Sequence, residues 1–339
     1  MEKEVFSKMK TTIYDVAEKA GVSISTVSKV INHQPVGMKS KQKVLDAMQE
    51  LNYKPSVLAS ALTGKRTSTI GFLLPDIANP LIAEMARRVE DRAHEYGFNV
   101  VICSTDFKSE KEERYVSLLR QKRVDGFILA GGFRNKQVIH ELISDNIPVI
   151  LLSESQPYSS LTTVTVDNFL GGYELTAYLI SLGHSRIAVI AEDNSSSRER
   201  IRGYSQALQE SDLDIHEDLI VVTDSTAESA QSLASSLLQS SNPPTAMICC
   251  NDILAIGALL AAREEHVLVP EELSITGFDN TLISKSSDPP LTTVEVPVQS
   301  MCSQAVDLLI DEIEGKASEK QKILVLPKLI VRKSTSRFH

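Results

Sequence analysis

Four short motifs place acids and amides where an apolar run gives way to polar sequence: Asp76 and Asn79 in PDIANP, Asp167 and Asn168 in VDN, Asn251 and Asp252 in CND, and Asp279 and Asn280 in GFDN. Carboxylates accept hydrogen bonds and amides both donate and accept, so such groups gathered in a cleft suit hydroxyl-bearing small molecules. A second constellation lies near the N-terminus, where Ser25, Ser28, Lys29 and Asn32 share one face of a helical repeat. Short donors and acceptors with one cation fit base edges in a major groove. Reaction chemistry has no comparable footing. There is no nucleophile elbow, Walker loop, dinucleotide glycine fingerprint or zincin helix; His140-Glu141 lacks a second histidine, and His184 in SLGHSRI reads as a helix-to-strand loop residue. No catalytic, metal or cofactor site is expected.

The elements that must position the first set begin at Ile70, where short apolar runs alternate with longer amphipathic ones, the pattern of parallel strands joined by crossover helices. Strands are expected at Ile70 to Leu74, Val100 to Ser104, Gly126 to Leu129 and Val149 to Leu152, and again at Ile187 to Ala191, Leu219 to Thr223, Ala246 to Cys250 and Ser274 to Gly277. Two successive doubly wound lobes place their ligand-facing loops at the carboxyl ends of the strands and leave a cleft between them. The chain then crosses back through LTTVEVPVQSMCSQAVDLLIDEI, a strand and a helix, and ends in strands within ILVLPKLIVRKS. Cys103, Cys249, Cys250 and Cys302 sit among apolar neighbours without zinc-ligand spacing and read as reduced core residues; the alternative is a redox or metal role.

The second set sits on three short helices. Thr12 and Asp15 stand in capping-box spacing before a helix from Ile13 to Ala20; Gly21 ends it and Ser23 can cap the next, from Ile24 to Asn32. Val27, Val30 and Ile31 are spaced to pack on Val16 and Ala17, and a third helix, Met38 to Leu51, adds Val44, Leu45, Met48 and Leu51 to the same small core. Charge separates this head from the rest. Residues 1–66 hold eleven bases and six acids, a net +5, while the remainder holds 24 bases and 38 acids, a net -14. A basic head on an acidic body favours a polyanion at one end, the alternative being a solvated face. The first ten residues mix charges with no apolar block, and no later run has the length of a membrane span, so a cytoplasmic location is expected.

TIYDVAEKAGVSISTVSKVIN followed by KVLDAMQELNYKP resembles the N-terminal signature of the lactose-repressor (LacI/GalR) family, and the resemblance extends to about Ser334. It implies a small all-α helix-turn-helix head at 11–54, a hinge helix and linker at 55–66, and a two-lobed effector-binding and dimerisation domain at 67–339 whose lobes resemble periplasmic sugar-binding proteins. On operator DNA, Thr12, Tyr14, Ser23, Thr26 and Asn32 would hold backbone and bases, Ile24, Ser25, Ser28 and Lys29 would choose the sequence, and Ala59 and Leu62 would enter the minor groove, Leu62 as an apolar wedge. Lys29 replaces the family's usual arginine and lacks its planar fork, so looser discrimination at one base pair is expected. Effector contacts fall on Arg200 and Asp279, with Asn79, Ser153, Ser196 and Asn251 nearby; Ser153 stands where the lactose repressor has a ligand-binding aspartate. The implied function is a repressor controlled by a sugar, sugar acid or related metabolite. Family members that tetramerise carry an extra heptad tail, and this chain stops soon after Arg332, so a homodimer on a pseudo-palindromic operator is expected. A protein corepressor, as in the family's catabolite-control branch, and a transport-associated binding protein are the alternatives; an enzyme is not supported.

Overall fold

The computed structural model describes residues 11–31, 34–53, 66–153, 160–317 and 319–338. The chain divides into two compact units, 1–67 and 68–339.

In the first unit, α1 (Ile13–Ala20), α2 (Ile24–Ile31) and α3 (Met38–Glu50) enclose Val16, Ala17, Ala20, Val27, Val30, Val44 and Ala47. Thr12 and Asp15 form a reciprocal capping box: the Thr12 amide donates to Asp15 Oδ2 at 2.7 Å, and the Asp15 amide to Thr12 Oγ1 at 3.5 Å. Gly21, at φ +63°, turns the chain, and Ser23 Oγ accepts the Thr26 amide at 3.1 Å to start α2. Leu45 is 43% exposed and is not the core residue its spacing suggested; with Val44 and Ala47 turned inward, its side chain falls on the outer flank of α3.

The second unit is built on two all-parallel sheets. In chain order the first lobe contributes β1 (Thr69–Leu74), α4 (Pro80–Glu95), β2 (Asn99–Ser104), α5 (Ser109–Gln121), β3 (Gly126–Ala130), α6 (Lys136–Ser144), β4 (Val149–Leu152) and β5 (Thr162–Val166). The second lobe follows with α7 (Asn168–Ser181), β6 (Ile187–Glu192), α8 (Ser195–Glu210), β7 (Ile220–Thr223), α9 (Ala227–Leu238), β8 (Ala246–Cys249), α10 (Asp252–Glu264), β9 (Ser274–Thr276), α11 (Leu282–Ser286) and β10 (Thr293–Glu295). The chain then returns to the first lobe with α12 (Val298–Glu314), packed on α4, β3, β4 and β5, and β11 (Lys322–Val325), which pairs with β5. Finally β12 (Lys328–Ile330) pairs antiparallel with β10 in the second lobe. The sheet orders are β11-β5-β4-β3-β1-β2 and β7-β6-β8-β9. Three crossings thus tie the lobes, at the β5–α7, β10–α12 and β11–β12 junctions.

All eight expected strands form, with small differences at their ends; Leu219 closes a 3-10 turn ahead of β7 instead of entering it. β5 escaped the sequence reading because Thr162, Thr163 and Thr165 interrupt its apolar run, yet every residue of it is buried. A second feature concerns α7 and α8. A Cβ on Gly172 would lie 2.2 Å from the Arg200 carbonyl oxygen, and one on Gly203 2.1 Å from that of Phe169, so only glycine lets these two helices meet backbone to backbone. That contact sets where Arg200, on α8, can reach.

Candidate functional site

On the head, α2 presents Ser25 and Lys29 to solvent, with Ser28 half-buried beside them. Two large apolar side chains share the exposed surface, Tyr14 at 67% and Ile24 at 42%. Ser23 Oγ and Thr26 Oγ1 lie 2.9 Å apart and support the turn between α1 and α2. Asn32, Ala59 and Leu62 lie outside the described residues, as does the expected hinge apart from Arg66.

In the body, parallel strands direct their carboxyl ends toward the space between the lobes, and the loops and helix starts that follow carry the polar groups. Asn79, after β1, caps α4, its Oδ1 accepting the Leu81 amide at 2.9 Å. Ser153 follows β4 at φ +60°. Ser196 and Arg200 lie on the first turns of α8, after β6. Asn251, after β8, caps α10, accepting the Leu254 amide at 2.7 Å. Asp279 follows β9 at φ +109°, a backbone angle that costs a side-chain-bearing residue, and is held there by its amide bond to the Val294 carbonyl at 2.7 Å. All six line a single cleft of about 730 Å³, mouth included. Glu192, Asn194, Ser195, Ser225 and Phe107 join them there and were missed, although Asn194 caps α8 just as Asn251 caps α10. The same signal in AEDNSSS would have found it.

Of the other polar residues singled out at strand ends, Asp76 also lines the cleft, while Asp167, Asn168, Asp252 and Asn280 do not. Asp167 caps α7 by accepting the Leu170 amide at 2.9 Å. Asn280 Nδ2 donates to Glu295 Oε1 at 3.0 Å. Buried Asp252 accepts from the Thr281 amide and hydroxyl, both at 2.7 Å, and from the Thr293 hydroxyl at 2.8 Å, which ties α10 to the loop carrying Asp279. Buried Asn168 accepts from Arg200 Nε at 2.9 Å. Arg200 also donates to the Cys250 carbonyl and lies with its guanidinium carbon 3.5 Å from the centre of the Phe278 ring. Asp279 Oδ1 is 3.9 Å from Arg200 Nη2, beyond hydrogen-bonding range, and it is buried without a hydrogen-bond partner. Burial pushes the Asp279 carboxyl well above the usual carboxylate range, against the pull of Arg200.

His184 lies in the helix-to-strand loop between α7 and β6, as expected, and its side chain is buried there: Nδ1 lies 3.0 Å from Thr245 Oγ1, Nε2 3.0 Å from Ser274 Oγ, and the ring packs beside Phe338. The four cysteines are free and buried, their thiols pushed upward by burial.

A helix-turn-helix head on the same chain as two parallel-sheet lobes that face a polar-lined cleft defines a class: transcription regulators whose body has the periplasmic-binding-protein-like fold. Residues 12–56 match the family model of bacterial regulatory proteins, lacI family, and residues 176–335 match that of the periplasmic binding protein-like domain. The chain is 45% identical over 334 residues to the HTH-type transcriptional regulator DegA of Bacillus subtilis (strain 168), spanning 97% of this chain and 99% of that protein. It is 35% identical over 330 residues to the HTH-type transcriptional repressor PurR of Aliivibrio salmonicida (strain LFI1238), spanning 96% and 99%. Among solved structures it is similar to the lac repressor dimer bound to operator and the anti-inducer ONPF, with a TM-score of 0.87 and 30% identity over 97% of this chain and 100% of that one. The chain belongs to the lacI family of bacterial regulatory proteins and is a DNA-binding transcription regulator; these relatives are regulators, not enzymes. No helix among the described residues is long and apolar enough to cross a membrane.

Proposed function

We propose that this regulator is a cytoplasmic repressor that binds a pseudo-palindromic operator as a homodimer and is controlled by a small hydroxyl-rich metabolite in the interlobe cleft. The head at 11–54 reads the DNA through Tyr14, Ile24, Ser25, Ser28 and Lys29, with Thr12, Ser23 and Thr26 fixing its register. The hinge at 55–66 connects it to the sensor at 67–339. The observation that carries the sensor half is the convergence of Asn79, Ser153, Ser196, Arg200, Asn251 and Asp279 on one cleft in which a buried carboxylate oxygen lacks a partner. A buried acceptor left unmade costs about 1–3 kcal/mol, which a ligand hydroxyl would recover on binding.

Homodimerisation is supported by apolar side chains left on the outer strands: Val101 and Ile102 on β2, and Val222 on β7, with Leu282 at 76% exposed nearby in sequence to the cleft loop. An uncovered sheet edge that carries apolar side chains invites pairing with a second copy. The similar lac repressor structure is itself a dimer on its operator. Because each strand-to-cleft loop belongs to one lobe or the other, a ligand touching both favours one lobe arrangement, and the population of the operator-binding state follows its differential affinity.

Selection of bound DNA from a random duplex pool, repeated with sugars, sugar acids and purines, tests this reading. Enrichment of a short palindrome whose retention changes with one compound is the expected result. Failure to enrich any sequence while a compound still binds the body would remove the operator half.

A further inference from the structure

At the end of the second lobe opposite the cleft, the amino ends of the strands are crossed by Ser334–Phe338, the segment that follows β12. It runs along the edge of β9 that no strand covers. The Ile275 amide donates to the Ser334 carbonyl at 2.8 Å, and Ser334 Oγ accepts the Thr292 amide at 2.8 Å. Further along, the Ser336 amide donates to Ser274 Oγ at 3.0 Å, Ser336 Oγ to the Pro270 carbonyl at 2.7 Å, and the Phe338 amide to the Leu182 carbonyl at 2.9 Å. Single hydrogen bonds fasten this strap, and its one large apolar side chain, Phe338, is 49% exposed.

His184 lies beneath it. The ring is buried, with Nε2 3.1 Å from the Ser336 carbonyl oxygen and the Phe338 ring centre 5.7 Å away. A carbonyl only accepts, so in the neutral ring Nε2 carries the proton and Nδ1 accepts the Thr245 hydroxyl. We propose that Ser334–Phe338 is a proton-released strap: a second proton, taken up at His184 Nδ1, opens it and loosens the third crossing between the lobes.

That proton removes the acceptor used by the Thr245 hydroxyl and creates a buried cation whose ring partners are two hydroxyls and a carbonyl. No carboxylate among the described residues is bonded to the ring. Of the charged groups on the neighbouring elements, Arg186 is bonded to the Asn242 carbonyl at 2.7 Å and reaches Asp218, Glu272 accepts the Leu268 amide at 2.8 Å, and Glu271 and Arg337 are exposed. The chain from Lys328 to Phe338 carries four bases, Lys328, Arg332, Lys333 and Arg337, and no acid, so an imidazolium would lie under a strap of like charge. Burial already holds the imidazole below its ordinary value. Thr245 leads into β8 and Ser274 belongs to β9, both built into the sheet; the strap rests on them and is the element that can move aside to let water reach the ring. Just upstream, Arg332 grips the Leu291 carbonyl at 2.7 Å and β12 pairs with β10, so the strap anchors the chain where it returns to the second lobe.

Hydrogen exchange of the full chain, corrected for the intrinsic pH dependence of amide exchange, tests the proposal. The Ser336 and Phe338 amides are bonded in the closed strap, so their protection reports its state. With the strap open His184 titrates at the ordinary 6.5, and with it closed lower. The open-to-closed ratio should therefore climb by up to about tenfold per pH unit between those two values and level off below them. Protection in β1 and β4 should not follow, and in His184→Asn the strap's protection should no longer vary with pH. Unchanged protection in the parent from about pH 7.5 to about pH 5.5, or an equal fall in parent and variant, overturns the proposal. Should the variant not fold, exchange of the His184 C2 proton in the parent decides. A midpoint that coincides with strap release supports the proposal, and titration at the ordinary 6.5 beneath a strap that stays protected overturns it.

Discussion

Gly203→Ala offers a demanding test of how the cleft is assembled. The added Cβ would stand 2.1 Å from the Phe169 carbonyl oxygen and 2.6 Å from the Tyr173 amide nitrogen, both backbone atoms of α7. Ordinary contact begins near 3.4 Å, so α7 and α8 must part by about 1.3 Å, and no side-chain rotation can relieve the clash. Overpacking of this kind costs roughly 1–3 kcal/mol, and the rigid backbone on both sides argues for the upper end. Alanine returns about 1 kcal/mol of helix propensity. The net is a destabilisation of roughly 2 kcal/mol, which in a body of this size lowers the melting temperature by about 4–8 °C. The Arg200–Asn168 bond crosses the same helix pair, so effector affinity should fall with it. Differential scanning calorimetry of the full chain, followed by effector titration, reads both. A melting temperature equal to or above that of the parent would mean that helix propensity outweighs the contact, and the close packing of α7 on α8 would then not be what fixes Arg200.

Three further outcomes follow from the same geometry. The buried Asp279 carboxyl titrates above its ordinary range, so the folded chain holds a proton that the unfolded chain has already lost, and stability declines as pH rises from the unfolded value toward the folded one. Asp279→Asn should therefore melt higher than the parent, by a margin that widens as pH rises above the ordinary carboxylate range, while binding effector more weakly; a lower melting temperature at the alkaline end would refute this. Burial depresses the imidazole of His184, against the Ser336 carbonyl, so below its ordinary value of 6.5 the unfolded chain takes up a proton that the folded chain refuses, and stability is lost as pH falls through that window. His184→Asn should flatten this acid limb, and identical losses in parent and variant between about pH 7.5 and 5.5 would assign it elsewhere. Lys29→Ala should relax preference at one base pair per half-site by roughly 1–3 kcal/mol; an unaltered binding-site profile would place Lys29 on the phosphates or off the DNA.

The body was legible where burial and apolarity coincide. Strands such as Ile70 to Leu74 and Val149 to Leu152 are covered on both faces and so appear as unbroken apolar runs. β5 is equally buried and was not legible, because threonines break its apolar run and the partner that lets Thr162 be buried is distant: Thr162 Oγ1 donates to Glu312, 150 residues away. The capping box of α1 was legible because both of its partners lie within one turn. Leu45 was misread as core, since helical spacing alone does not say which flank of the apolar stripe faces the other two helices.

The cleft shows the same division between local and distant information. Neighbours Asn251 and Asp252 carry one sequence signal and do different work: Asn251 lines the cleft, whereas Asp252 turns away to accept three bonds from Thr281 and Thr293. Those bonds fix the loop on which Asp279 stands at its costly backbone angle. One carboxylate is thus saturated by protein donors while the other, two residues before Thr281, is left with an oxygen that the protein does not satisfy. Had the loop been free to relax, Asp279 could have turned toward solvent or closed on Arg200. Held as it is, it stays desolvated with Oδ1 lacking a hydrogen-bond partner, and the free energy stored in that arrangement is what a ligand able to donate a hydrogen bond would release.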